Sequence, residues 1–175
     1  NLRRTLATAG RVLRQLSHDP RSIVLMLVAP SLLVGLFAWL FTDQDGVFDQ
    51  FGAPILAVFP FVIMFLITSI TTLRERRSGT LERLMTTPLG KADFIGGYAL
   101  VFALMAALQA VATVAFAVGV CGLSVDGPLW QLGAVAVVNA VLGTALGLLA
   151  SAFANTEFQA VQFMPLLVFP QMILG

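Results

Sequence analysis

The sequence predicts an all-α membrane protein, and its composition is the first evidence. Hydrophobic residues make up 58% of the 175 residues and charged residues only 11%, whereas charged residues make up about 25% of an average soluble domain. The mean hydropathy is +0.93. Several uncharged runs also reach the roughly 20 residues that a helix needs to cross a bilayer. Composition and run length together place the chain in the membrane class.

Four apolar runs have spanning length, and a fifth begins near Phe158 and is still apolar at Gly175. Because the chain starts at Asn1 and ends inside this run, we expect it to be a fragment of a longer protein. In the fourth run, small or polar residues recur at four-residue spacing, which lets helix backbones approach closely. These residues are Asn139, Gly143, Gly147 and Ser151, and the predicted spans are 23–42, 53–73, 94–119, 129–153 and 158–175.

The positive charges predict the orientation in the membrane. All ten Lys and Arg residues lie before the first predicted span or between the second and the third. The segments on the other side hold Asp43, Asp45, Asp49 and Asp126 and no basic residue. Short loops rich in Lys and Arg stay in the cytoplasm. The N-terminus and the 74–93 loop are therefore expected to be cytoplasmic, in a multi-pass protein of the cell inner membrane.

Residues 1–19 are predicted to form an amphipathic helix at the membrane surface, and residues 20–175 the membrane domain. At about 100° per residue, the apolar side chains of the first segment fall on one face and its arginines on the opposite face. Asp19 and Pro20 favour the start of a new helix, because Asp is a good N-cap and Pro a good first helical residue. The apolar face holds Leu2, Leu6, Ala9, Val12, Leu13 and Leu16, and the basic face holds Arg3, Arg4, Arg11 and Arg14.

Motifs for catalysis and cofactor binding are missing from the sequence. It contains no GxxxxGK[ST] phosphate loop, no HExxH and no GxSxG, and its single Cys and single His offer no metal site. A net charge of +1 gives no support for a nucleic-acid partner. The predicted spans carry no charged residue, whereas ion-coupled carriers bury one at membrane depth. Uphill transport by this chain would therefore need an energy source in another subunit.

The segment between the second and third spans is the most informative part of the sequence. Gly79 is expected to end the helix of the second span, Thr80 to cap a new two-turn helix, and Pro88 to end that helix. A solvated basic loop would explain the arginines here but not a capped apolar helix. The apolar face of the short helix holds Leu81, Leu84 and Met85, and Glu82 and Arg83 lie off that face.

The order Glu-Arg-x-x-Gly-Thr-Leu-Glu-x-Leu over residues 75–84, followed by Pro88, resembles the signature of ABC type-2 permeases. These proteins are the membrane subunits of drug, polysaccharide and lipid exporters. The resemblance implies a six-span ABC type-2 exporter fold with an N-terminal interface helix, of which about five spans are present here. It also implies a partner ATPase subunit, which binds ATP and Mg, and a second permease subunit.

In such permeases a coupling helix docks in a cleft of the ATPase, and the resemblance assigns it to residues 79–87. The apolar side chains of this helix would dock, its charged side chains would set orientation, and the 1–19 helix would also touch the ATPase. The residues assigned to this contact are Gly79, Thr80, Leu81, Glu82, Arg83, Leu84, Met85 and Pro88, with Glu75 and Arg76 flanking it and Glu157 in a second, smaller contact.

The resemblance further implies alternating access in a dimer, with a hydrophobic or amphipathic substrate moving outward along the first, second and fifth spans. The short outer loop between the first two spans and the amino-acid sequence of the 75–89 segment favour drug export over polysaccharide or lipid export. A non-transporting membrane scaffold and an intramembrane enzyme are the alternatives from other classes, and the enzyme would need buried charges. The implied pathway residues, which could instead face lipid or the core, are Phe59, Phe61, Met64, Phe65, Phe163, Met164 and Phe169.

Overall fold

The computed structural model describes residues 2–44, 46–79 and 91–174, and within these ranges the chain is helical and contains no strand. The long apolar runs form helices because only a helix satisfies its own backbone hydrogen bonds in lipid. The helices are α1 (Leu2–Ser17), α2 (Pro20–Leu40), α3 (Val47–Arg77), α4 (Lys91–Gly119), α5 (Leu129–Phe153) and α6 (Glu157–Leu174).

Four of these helices are long and apolar enough to cross a membrane, which supports a multi-pass membrane protein. The candidate spans lie in α2, α3, α4 and α5. Helix α3 extends beyond the predicted 53–73 at both ends, because its polar ends continue the helix without a break. Helix α6 begins one residue before the predicted fifth span and is not among the four, so a fifth span stays a prediction.

Helices α3 and α5 pack with their backbones in contact. A methyl group added at Gly143 would clash with the carbonyl oxygen of Phe61, and one added at Gly147 would lie 2.7 Å from the carbonyl oxygen of Phe65. Both glycines belong to the small-residue stripe that the sequence places on α5. Small residues allow such close packing in membranes, where apolar burial alone drives helices together weakly. The α3–α5 pair therefore leaves no room for a larger side chain at these two positions.

Helix α1 packs against the start of α4 rather than lying apart from the bundle. A methyl group at Gly97 would lie 2.7 Å from the side chain of Thr8, and Ala9, Val12 and Leu16 are buried in the same cluster as the aromatic residues of α4. The predicted apolar face of this helix is thus divided. Part of it covers the bundle, and Leu6 and Leu13 remain about half exposed.

The two ends of the bundle differ in charge. The end that carries α1 and the last residues of α3 is called the basic end, and the opposite end, with Asp43, Asp49 and Asp126, the acidic end. At the acidic end, the carboxylate of Asp49 accepts a hydrogen bond of 2.8 Å from the backbone N–H of Ser124. The neighbouring Leu123 is buried. The 120–128 connection is therefore fixed to the first turn of α3.

Candidate functional site

Three consecutive residues at the basic end of α3 each contact a different helix. Arg74 contacts α6, Glu75 contacts α1, and Arg76 contacts the end of α5. Successive helical side chains point about 100° apart, so three neighbours can reach in three directions. We call Arg74, Glu75 and Arg76 the α3 junction.

Arg76 caps the last turn of α5. Its Nη1 donates to the carbonyl oxygen of Ala152 at 2.8 Å, and its Nη2 donates to the carbonyl oxygen of Ala154. The last carbonyl groups of a helix have no partner within the helix. The guanidinium supplies donors to two carbonyls at this helix end, and hydrogen bonds from a charged group are stronger than neutral ones. Arg76, predicted to flank the contact with the ATPase, thus also has a role inside the chain; its predicted role at that contact stays a prediction.

Glu75 is the buried member of the junction, with 7% of its surface exposed. Its Oε1 accepts a hydrogen bond of 2.9 Å from Nε2 of Gln15 on α1. Its Oε2 lies 3.8 Å from Nη2 of Arg11 and has no hydrogen bond within the described part of the chain. Arg11 in turn donates to the hydroxyl of Tyr98 at 3.2 Å. A buried carboxylate is costly unless it is paired, so these contacts hold α1 against α3 and α4.

This arrangement differs from the predicted placement of Arg11 on a fully polar face. The arginine lies at the edge of the helix face that packs on the bundle, where it donates a hydrogen bond to the Tyr98 hydroxyl and lies 3.8 Å from the Glu75 carboxylate. Arg3, Arg4 and Arg14 are exposed, and their place on a membrane-facing basic face stays a prediction. The signal missed in the sequence is the Arg11–Gln15 pair, which places two donors four residues apart on one face.

Arg74 joins α3 to the start of α6. Its Nε and Nη2 donate to the two carboxylate oxygens of Glu157 at 2.7 and 3.1 Å. The hydrogen bond from Arg74 lowers the pKa of the Glu157 carboxyl below its ordinary value. Both side chains are substantially exposed, and exposed ion pairs contribute little to stability. The main effect of the pair is therefore to orient the start of α6 relative to the end of α3, with little gain in stability.

The turn before α6 is closed by its own side chains. Thr156 Oγ1 accepts a hydrogen bond of 3.1 Å from the backbone N–H of Gln159, and Gln159 Oε1 accepts one of 2.8 Å from the N–H of Asn155. This resembles a capping box, in which Ser or Thr is followed three residues later by Glu or Gln. The spacing Thr156–Gln159 was readable in the sequence. It orients Glu157 toward the end of α3.

The helix α3 ends where the sequence predicts. The N–H of Ser78 donates to the carbonyl oxygen of Arg74 at 2.9 Å, and Gly79 has a φ of +72°. Glycine enters this left-handed region without steric cost and commonly ends helices. The remaining residues assigned to the coupling helix lie outside the described residues, namely Thr80, Leu81, Glu82, Arg83, Leu84, Met85 and Pro88.

The predicted pathway residues fall into two groups. Phe61, Met64 and Phe65 are buried within this one chain, at 1% exposure or less, because they pack toward α5 and the core. The others keep accessible surface: Phe59, Phe163 and Met164 are partly buried, and Phe169 is exposed. The pathway stays a prediction, and only the second group presents surface to a molecule outside the bundle.

A cavity of about 500 Å³ lies at the basic end, between the ends of α3 and α6. It is lined by Leu73, Arg74, Arg77, Ser78 and Glu157. The described ranges contain no group of three His, Cys, Asp or Glu side chains that could hold a metal ion. The chemistry that this end offers is therefore recognition by guanidinium groups and mechanical linkage between helices.

Taken together, the helical bundle and its charged end define a multi-pass membrane protein whose helices are joined at one end by a charged junction. The family model of the ABC-2 type transporter matches residues 3–175, and the chain belongs to this family. A search of the curated proteins and a search of the solved structures each gave no match. The family makes this chain a membrane domain of an ABC transporter and implies an ABC ATPase partner.

Proposed function

We propose that this chain is the permease subunit of an ATP-driven exporter that moves a hydrophobic or amphipathic substrate outward across the inner membrane. The observation that carries the proposal is the position of the α3 junction. It lies immediately before Gly79, where the segment proposed to dock on the ATPase begins. A displacement of that segment reaches α3 first, and the junction then passes it to α1, α5 and α6.

In this mechanism the partner ATPase binds ATP and Mg, and this chain supplies the moving helices. Because α3 and α5 touch backbone to backbone at Gly143 and Gly147, they shift as one unit. Arg74 draws the start of α6 with them, and Glu75 draws α1. Full conversion between an inward-open and an outward-open dimer needs about 5.5 kcal/mol of differential binding, which ATP supplies through the partner.

The proposed orientation places the basic end in the cytoplasm. Arg3, Arg4 and Arg14 would then lie among headgroups while Leu6 and Leu13, each about half exposed, enter the acyl region. Such a division is typical of helices that lie in the membrane interface. We further propose that α1, besides lying on the membrane, contacts the ATPase.

A dimer of two permease subunits would place the substrate pathway between the subunits, next to the exposed faces of α2 and α6. Phe59, Phe163, Met164 and Phe169 are the pathway side chains with accessible surface. Phe61, Met64 and Phe65, which are buried within the chain, would support the side chains that line the pathway. Apolar and aromatic side chains suit a drug or antibiotic better than a polysaccharide chain, with lipid export as the second candidate in the same fold.

The decisive experiment is copurification with the ATPase subunit. Leu81→Asp and Leu84→Asp should each abolish the association, because each places a carboxylate in the middle of the proposed docking face. Leu129→Asp is the matched control: it adds the same charge to an exposed leucine at the start of α5, at the acidic end. If the complex survives both test substitutions, the docking assignment is wrong. If no ATPase copurifies with the unsubstituted chain, a non-transporting scaffold is the better description.

A further inference from the structure

The cavity at the basic end carries an excess of positive charge that the contacts of the α3 junction do not neutralise. Arg74 is paired in bidentate fashion with Glu157, so these two charges cancel. Arg77 also lines the cavity; its charge helps to lower the pKa of the Glu157 carboxyl, but it makes no hydrogen bond or close ion pair within the described ranges. The cavity therefore carries one uncompensated positive charge, with the several N–H donors of a guanidinium. A group with a single negative charge and several acceptor oxygens would balance it.

Two exposed aromatic residues lie close in sequence to the helix ends that form the cavity. Phe153 is the last residue of α5 and is 69% exposed, and Phe158, the residue after Glu157, is 72% exposed. Two exposed aromatic side chains would be unfavourable next to bulk water. Aromatic rings beside basic groups are typical of the boundary between headgroups and acyl chains. A ligand whose apolar part lies along Phe158, the sequence neighbour of the cavity residue Glu157, would cover one of these rings.

We propose that the cavity binds the headgroup of an anionic phospholipid, with Arg77 on the phosphodiester and the acyl chains along Phe158. The charges agree, because a lipid with a net charge of −1 neutralises the cavity. Basic pockets between helices at the cytoplasmic side of a membrane are known to suit anionic headgroups. The bound lipid would bridge α3 and α6 beside the junction.

Lipid binding would add a second link between α3 and α6 to the Arg74–Glu157 pair. Leu73 of α3 already packs with Ala160 and Phe163 of α6, and the lipid would add to this packing and to the exposed, weak ion pair. The anionic lipid content of the membrane would then affect how strongly α6 is held to α3, and so whether the two helices move together. This inference needs only a bundle in a membrane and does not depend on ATPase docking.

The test is native mass spectrometry of the detergent-solubilised chain titrated with phosphatidylglycerol or phosphatidylcholine. We expect tighter binding of phosphatidylglycerol, because its headgroup keeps a net negative charge. Arg77→Gln should weaken phosphatidylglycerol binding roughly fivefold, the factor expected for one basic residue at a lipid surface. Arg77→Lys should retain most of the affinity. Equal binding of the two lipids by the unsubstituted chain would overturn the proposal.

Arg3→Gln is the matched control, because it removes the same charge from an exposed position at the same end, outside the cavity. If it weakens lipid binding as much as Arg77→Gln does, the effect is one of bulk charge and the site does not exist. Phe158→Ala should weaken phosphatidylglycerol binding, and added inorganic phosphate should not displace the lipid. Displacement by phosphate would mean that the cavity recognises a free anion, contrary to the proposal.

The ATPase subunit is the competing occupant of the cavity. If Arg77→Gln releases the ATPase and leaves phosphatidylglycerol binding unchanged, the cavity is a protein contact and the lipid proposal is wrong. The outcome of Leu81→Asp has no bearing on lipid binding. Failure of the docking assignment and failure of this inference are therefore distinguishable.

Discussion

Replacing Arg76 with Met tests the α3 junction most directly, because it removes the guanidinium and keeps an apolar stem of similar length. Two hydrogen bonds to the end of α5 are lost. A hydrogen bond from a charged group contributes about 1.5–3 kcal/mol where water cannot replace it. Ala154 is buried and Ala152 is exposed, so water can compensate only at Ala152. We expect the free energy of unfolding to fall by roughly 2 kcal/mol.

The assay is reversible unfolding in mixed detergent, without anionic lipid, followed by far-ultraviolet circular dichroism. Arg77→Met is the matched control, since it removes the same group one residue further along, where no hydrogen bond forms within the described ranges. The control should change the free energy of unfolding by less than about 0.5 kcal/mol. In the complex, Arg76→Met should also lower transport more than ATP hydrolysis. Equal destabilisation by the two substitutions would refute the assignment of Arg76 as a cap.

Three further substitutions or conditions test the packing and the charges. Gly143→Ala should destabilise the bundle by about 1–3 kcal/mol through overpacking against α3. Gly133→Ala, on the same helix with open space around it, should be neutral or stabilising. Unfolding in detergent measures both, and equal effects would contradict the backbone contact. Gln109 is fully buried and neither atom of its side-chain amide has a partner in the described ranges, so Gln109→Leu should raise the free energy of unfolding by about 1–2 kcal/mol; a loss of stability would mean that the amide has a partner, such as a buried water. The contribution of the Arg74–Glu157 pair to the free energy of unfolding should be complete above the ordinary carboxyl pKa, about 4.3, and should be lost as the pH falls through the lower pKa of the folded state. The difference in stability between the unsubstituted chain and Glu157→Gln should therefore shrink over that acid range. A difference independent of pH would show that the pair does not contribute.

The sequence was sufficient for the parts of the fold that depend on local patterns. Composition and run length predicted the membrane class, and Gly79 marked the end of α3 because a helix-breaking glycine followed by a capping residue is a local signal. The division of α1 from the rest at Asp19 and Pro20 followed from the same kind of signal. These features need no knowledge of which helices are neighbours.

The candidate site was predicted only in part, because its contacts join residues far apart in the chain. Gln15 and Glu75 are 60 positions apart, and Arg76 reaches a carbonyl 76 positions away. Nothing in the local pattern distinguishes a solvated arginine from one that caps another helix. Glu75, Arg76 and Glu157 were therefore predicted only at contacts with an external partner, while in the structure each also contacts another helix of the chain.

The facing directions of apolar side chains could not be predicted either. In a soluble helix the polar face reveals which side is exposed, but lipid and protein core are equally apolar. Phe61 and Phe65 therefore gave no sign that they lie under α5. The glycines at 143 and 147 carried that information, since a small-residue stripe marks the side on which a neighbouring helix approaches.

Helix α3 is held by polar contacts at both of its ends, and this has a mechanical consequence. Its 31 residues, which include Pro54 and Pro60, extend over roughly 46 Å at 1.5 Å per residue. Asp49 fastens the far end of the helix to the 120–128 connection, so a tilt of about 5° applied near Gly79 would carry that connection sideways by about 4 Å. A motion at the basic end can thus be carried along α3 to the acidic end of the bundle.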